Sequence, residues 1–267
     1  MLSLQNVIYR YQTNMSPVLT NLSFSVKRGE RIAVVGRNGS GKSTLARVLK
    51  GLLTPSEGQI VYESPFSRED IGMLFQNPDN QAVSTIVEDD VAFGLENACV
   101  ERDEITNRIE HYAQKLGVSH LLKRNINELS GGQKQRVALT GLLVLEPKLL
   151  LLDEACSMLD PVGRKIVQKH IGQFHSEGHA IISITHDVEE ILSSDRVLGL
   201  VGGKLIYDGS PHHLFSKKDY LHELGLVKPF QYELVDLLEN KGIDVNVSHA
   251  FSNKELLQLL WTYRLNR

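Results

Sequence analysis

Apolar positions in the first 35 residues read as short strands. Leu2, Leu4 and Val7 recur near the start, and Leu22, Phe24 and Val26 alternate with serines. That period predicts half-buried strands. Arg31–Val35 reads as a buried strand after the turn at Lys27-Arg28-Gly29-Glu30. A glycine-rich loop follows and opens a helix predicted over about Lys42–Lys50. Beyond Pro55 and Gly58, strands are predicted at Gln59–Tyr62 and Ile71–Phe75. From Ile105, apolar residues recur at Ile109, Tyr112, Ala113 and Leu116, which is helical spacing, and a second helix follows Ser130. Leu149–Leu152 and Ala180–Thr185 are short apolar runs bounded by polar residues, as strands buried on both faces should be.

Strands alternating with helices imply an α/β parallel sheet. The mostly helical stretch of about residues 82–147 interrupts the alternation and reads as a subdomain inserted between its two halves. The sheet with its insertion would thus span residues 1–212, leaving 213–267 as a helical extension. There Tyr232–Leu238 is amphipathic, and Ser252 with Glu255 forms a capping box before Leu256, Leu257, Leu259, Leu260 and Trp261. The extension is either a tail folded onto the core or a partner-binding surface.

Composition narrows the classes. Across 267 residues, 42% are hydrophobic and 23% charged, an ordinary globular balance. Lys+Arg 29 against Asp+Glu 32 gives a net charge of −3, which argues against nucleic acid as a partner. The longest apolar runs are four residues, whereas a membrane span needs about 20. With two cysteines, Cys99 and Cys156, a disulfide framework is not expected and a reducing cytoplasm is the default.

Candidate chemistry begins at Gly36-Arg-Asn-Gly-Ser-Gly-Lys-Ser43, which matches G-x-x-x-x-G-K-[ST] between a predicted strand and helix. Gly36, Gly39 and Gly41 let backbone N–H groups, including those at Asn38, Ser40 and Thr44, converge on phosphate oxygens. Lys42 would bridge the β- and γ-phosphates and the Ser43 hydroxyl would ligate Mg²⁺. Leu149–Asp153-Glu154 describes a buried strand ending in two carboxylates. Asp153 is placed to hold Mg²⁺ and Glu154, facing the other way, to polarise an attacking water. Leu129-Ser130-Gly131-Gly132-Gln133 then starts an amphipathic helix, with Ser130 and Gln133 as a capping box and two glycines leaving N–H groups bare for a phosphate.

With this pentapeptide the chain resembles the ABC-type ATPases over residues 1 to about 212. The resemblance implies a RecA-like P-loop core with an N-terminal antiparallel β-subdomain, ATP and Mg²⁺ as cofactors, and ATP hydrolysis coupled to transport. It further implies that Tyr11, with Tyr9 as a competitor, stacks on adenine. Gln76 would sense Mg²⁺ and relay to a membrane partner, Asp160 would lie in the loop crossing a dimer interface, and His186 would contact the γ-phosphate. His111, His120, His170, His175, His179, His212, His213 and His222 read as surface or packing residues.

A finer similarity exists to the energy-coupling factor group, which drives uptake of vitamins or transition metals. It is carried by Gln76-Asn-Pro-Asp-Asn-Gln81 and by Val87–Asn97. Glu154-Ala-Cys-Ser-Met-Leu-Asp160 resembles the first of that group's paired ATPases, with Cys156 standing where Thr is usual. The segment Leu224-Gly-Leu-Val-Lys-Pro-Phe230 also resembles the family, but Val227-Lys228 departs from the acidic residue usual before the proline. The group's architecture implies a second ATPase subunit, alike or related, a transmembrane coupling protein and a substrate-binding membrane protein, with this chain peripheral on the cytoplasmic face of the cell membrane. The rival readings are the ATPase of another importer class and a soluble ABC ATPase of repair or translation. A nucleotide kinase or RecA-like motor would lack the 129–133 signature.

Overall fold

The computed structural model describes residues 1–239. Its strands are β1 (Leu2–Tyr9), β2 (Leu19–Val26), β3 (Arg31–Val35), β4 (Glu57–Tyr62), β5 (Ile71–Leu74), β6 (Leu149–Asp153), β7 (Ala180–Ile184), β8 (Arg196–Val201) and β9 (Lys204–Gly209). Its helices are α1 (Lys42–Lys50), α2 (Val87–Asn97), α3 (Arg102–Lys115), α4 (Gly131–Leu143), α5 (Pro161–Ser176), α6 (Val188–Leu192), α7 (Pro211–Ser216), α8 (Lys218–Leu224) and α9 (Phe230–Glu239).

Two sheets result. A three-stranded antiparallel sheet runs β2-β1-β4, and a six-stranded sheet runs β5-β6-β7-β3-β8-β9. In the larger one, β5, β6, β7, β3 and β8 are parallel and β9 returns antiparallel to β8. The apolar runs explain this placement. Leu149 and Leu151 of β6 pack with Ile32 and Val34 of β3, the faces of the small sheet, and Leu45, Val48 and Leu49 of α1. Leu150 and Leu152 face the other way, among Val167, Ile171 and Phe174 of α5 and the helices of residues 87–144. Both faces of β6 are covered, so the strand reads as an unbroken run rather than as an alternation.

Helices α2, α3 and α4 close on one another through Val91, Leu95, Ile109, Ala113, Val137 and Leu139. A third cluster joins Ala33, Val35 and Val197 to Ile191 of α6, Leu214 and Phe215 of α7, Leu221 and Leu224 of α8, and Tyr232 of α9. The described part of the tail therefore folds onto the core. It also leaves Val227, Phe230 and Leu237 exposed. The helix expected after Ser252 lies outside the described residues. Among them no helix is long and apolar enough to cross a membrane.

Candidate functional site

Parallel strands end at one edge of a sheet, so whatever follows each strand meets there. Gly36 follows β3, Gln76 follows β5, Asp153 ends β6, and His186 follows β7. Residues distant in sequence are thereby gathered without any local signal linking them.

The Gly36–Gly41 loop turns sharply into α1. Gly36 has φ 149°, and a Cβ there would sit 2.2 Å from the carbonyl oxygen of Leu200, so no other residue fits. The Lys42 ammonium donates to the carbonyls of Gly36 at 2.7 Å and Arg37 at 3.1 Å. Burial lowers its pKa, with Glu154 and then Asp153 acting in the opposite direction. The Ser43 hydroxyl donates to Asp153 Oδ1 at 3.2 Å. Asp153 is buried, and desolvation raises its carboxyl pKa against the lowering effect of the Ser43 hydrogen bond.

Glu154 has φ 51°, a left-handed backbone that costs a non-glycine residue about 1–3 kcal/mol. That geometry turns its carboxylate to accept from Gln76 Nε2 at 2.5 Å, with His186 Nε2 3.8 Å away. Partial desolvation holds the His186 pKa below its ordinary value, and the Lys42 charge adds to this against the raising effect of Glu154.

Of these groups Lys42, Ser43, Gln76 and Glu154 line a cavity of about 360 Å³, together with Val18, Asn38, Gly39, Gly41 and Thr44; Asp153 lies behind Ser43 and His186 beside Glu154. The hydroxyl of the lining residue Thr44 shares a hydrogen bond of 3.1 Å with that of Tyr11. Tyr9 stacks edge-on against Tyr11 at 5.1 Å but is itself buried, whereas Tyr11 is 52% exposed. Of the two tyrosines, Tyr11 has the free ring. Glu154 also borders a second cavity of about 280 Å³, lined by Cys156, Arg164, His186, Asp187 and Glu190 among others.

Mg²⁺ suits this donor set. It takes hydroxyl, carboxylate and phosphate oxygens together rather than an all-protein cage, and Ser43 and Asp153 already present two oxygens within 3.2 Å of each other. Gln76 is a third candidate, its amide here engaged with Glu154. The buried Ser40 hydroxyl, in the same loop, has no hydrogen-bond partner among the described residues.

Other expected site residues lie elsewhere. Ser130, Gly131, Gly132 and Gln133 do not border the cavity. They form the start of α4, where Ser130 N–H donates to Gln133 Oε1 at 2.9 Å and Gln133 N–H to Ser130 Oγ at 3.3 Å. Asp160 is exposed and accepts from Gly163 N–H at 3.1 Å, capping α5. Two features escaped sequence reasoning. Val18 carries no chemistry that would mark it as a cavity wall, and the Gln76–Glu154 contact joins residues 78 apart.

The family description "ABC transporter" matches residues 19–157. The energy-coupling factor transporter ATP-binding protein EcfA1 of Halalkalibacterium halodurans is 43% identical, over 98% of this chain and 98% of its own. The protein of the same name from Oceanobacillus iheyensis is 44% identical, over 97% and 96%. A solved structure of cbiO1 from Clostridium perfringens, described as part of the ABC transporter complex cbiONQ, superposes with a TM-score of 0.71 at 36% identity, covering 88% of this chain and 98% of that one.

Proposed function

This chain belongs to the ABC transporter family, as an ATPase of the energy-coupling factor type, and we propose that it powers uptake of vitamins or transition-metal ions through membrane partner subunits. The observation that carries the reading is the convergence of Lys42, Ser43, Asp153, Glu154, Gln76 and His186 on one strand edge, while Ser130–Gln133 stands outside the cavity.

In this reading the N–H groups of residues 38–44 bind the phosphates and Lys42 supplies the charge facing the β- and γ-oxygens. Tyr11 stacks on the base. Ser43 and Asp153 would hold Mg²⁺, with Gln76 as a further ligand; the ion would neutralise charge between the β- and γ-phosphates. Glu154 takes the proton of the attacking water. Its hydrogen bond from Gln76 aims the carboxylate, and His186 stands beside it to contact the γ-phosphate. Ser130–Gln133 and Asp160 act on the nucleotide of a second ATPase subunit, of the same or a related chain. The chain sits peripherally on the cytoplasmic face of the membrane, below a transmembrane coupling protein and a substrate-binding membrane protein.

The test is to tag the chain, solubilise membranes in detergent and identify what copurifies. Small hydrophobic membrane proteins and an ATPase are expected. Recovery with ribosomes or DNA, or in a membrane-free fraction alone, would refute the transport reading.

A further inference from the structure

One side chain of the phosphate loop turns away from the cavity. Arg37 donates from Nη2 to the His222 carbonyl at 2.7 Å and from Nε to the Glu223 carbonyl at 3.2 Å. Both carbonyls lie in the last turn of α8, beyond the 19–157 segment that the family description matches. Carbonyls in a last helical turn lack the usual partners within the helix; that of His222 also accepts from the capping Gly225 N–H at 3.3 Å, and a cation there meets the negative end of the helix dipole. The helix stops at Gly225, where φ is 70° and a Cβ would lie 2.9 Å from Arg37 Cγ, so the stop itself is shaped to admit the arginine.

A second contact is independent of Arg37. Leu224, fully buried, lies on the bare backbone of Gly199, where a Cβ would meet both Leu224 methyls at 2.9 Å. Gly199 pairs in register with Val35, the residue before the loop. The end of α8 thus touches both the root of the loop and its first side chain. On the other side, the main chain of the same Arg37 accepts from the Lys42 ammonium at 3.1 Å.

We propose that Arg37 is a positioning residue that ties phosphate-loop occupancy to docking of the C-terminal extension. The end of α8 braces the loop in its nucleotide-binding shape, and bound nucleotide in turn holds residues 221–226 down. The inference rests on Gly36–Ser43 being the phosphate site. Reciprocity requires one factor in both directions. If docking strengthens nucleotide binding about 5-fold, nucleotide stabilises docking about 5-fold.

The experiment is hydrogen exchange on the full chain with and without Mg-ADP, paired with equilibrium ADP binding. In the wild type, ADP is expected to slow exchange both at residues 39–44 and at 221–226. Arg37→Ala is expected to weaken ADP about 5-fold, to raise the KM for ATP more than it lowers kcat, and to abolish the protection at 221–226 while that at 39–44 persists under saturation. Arg37→Lys keeps the charge but loses the fork that reaches two carbonyls, and should lose the protection at 221–226 as well. A wild type with no ADP effect at 221–226, an Arg37→Ala that retains affinity and protection, or an Arg37→Lys identical to wild type overturns the proposal. Absence of protection at 39–44 would instead overturn the phosphate-site reading beneath it.

Discussion

Replacing Glu154 by Gln should stop ATP turnover while leaving ATP binding intact. The carboxylate borders the nucleotide cavity within 2.5 Å of Gln76 Nε2 and 3.8 Å of His186 Nε2. Gln keeps the shape, and its amide oxygen can still accept from Gln76. Only the capacity to take a proton from water is lost. General-base help is worth about 10²–10⁴-fold, or about 2.7–5.4 kcal/mol at 1.36 kcal/mol per decade. Stability should hardly move. The left-handed backbone at φ 51° strains Gln and Glu alike, so no net change exceeds about 0.5 kcal/mol, or about 2 °C in Tm. Affinity should be equal or tighter, because one negative charge beside the phosphates is removed. Lys42 and Ser43 hold their positions through Gly36, Arg37 and Asp153 rather than through Glu154. Single-turnover phosphate release beside equilibrium binding of labelled ATP separates the two effects. Phosphate release within about 10-fold of wild type would remove Glu154 from the proton-transfer role.

Lys42→Ala should weaken ATP binding by about 10- to 100-fold, the worth of a charge-assisted contact, as read by the same equilibrium assay; unchanged affinity would mean the phosphates bind elsewhere. Burial pushes the Cys156 thiol up to about 12, so at pH 8 its reactive thiolate fraction is about 10⁻⁴, the thiol being protonated at every pH below its pKa. Iodoacetamide should therefore label exposed Cys99 first, and peptide mass spectrometry showing equal rates would refute the burial of Cys156. A side chain added at Gly132, whose Cβ would lie 3.3 Å from the Met158 carbonyl, should leave ATP binding by the single chain intact yet block ATP-driven closure. Mixed with Lys42→Ala in one dimer, it should restore nucleotide trapping at one of the two sites; trapping that follows intact motifs within a single chain would refute the shared site.

Much of the fold was written locally. The phosphate loop is legible because its glycines, Lys42 and Ser43 are contiguous and flanked by a strand and a helix, and each element was found where the loop requires it. The run Leu149–Leu152 is legible because both faces of β6 are buried, giving a signal that alternation would have halved. The choice between Tyr9 and Tyr11 was open because it depends on which ring the small sheet covers. Tyr9 ends β1 inside the core, and Tyr11 lies past the end of the strand. Arg37 was invisible for a similar reason. Nothing near position 37 predicts that residues 222 and 223 will present carbonyls to it, since the packing of Leu221 and Leu224 on the far side of the sheet sets that distance.

On the proposed function, the exposure of the cavity would account for a need for a second subunit. Gln76 and His186 are exposed, and the Glu154 side chain keeps 24% of its surface in solvent. Charges developing on a γ-phosphate there would be screened by water, and fixed donors act strongly only where water is excluded. The donors that could cover this end, at the start of α4, lie outside the chain's own cavity. They are held by their capping box and by Met158 and Leu159, on the loop that also carries Asp160. Within one chain the start of α4 and the loop carrying Asp160 are thus a packed unit, while Gln76, Glu154 and His186 form another. On the shared-site reading, bringing a partner's unit onto the exposed end would do two things at once. It would desolvate Glu154 and supply the missing N–H groups, so hydrolysis would rise with dimer closure rather than with nucleotide occupancy alone.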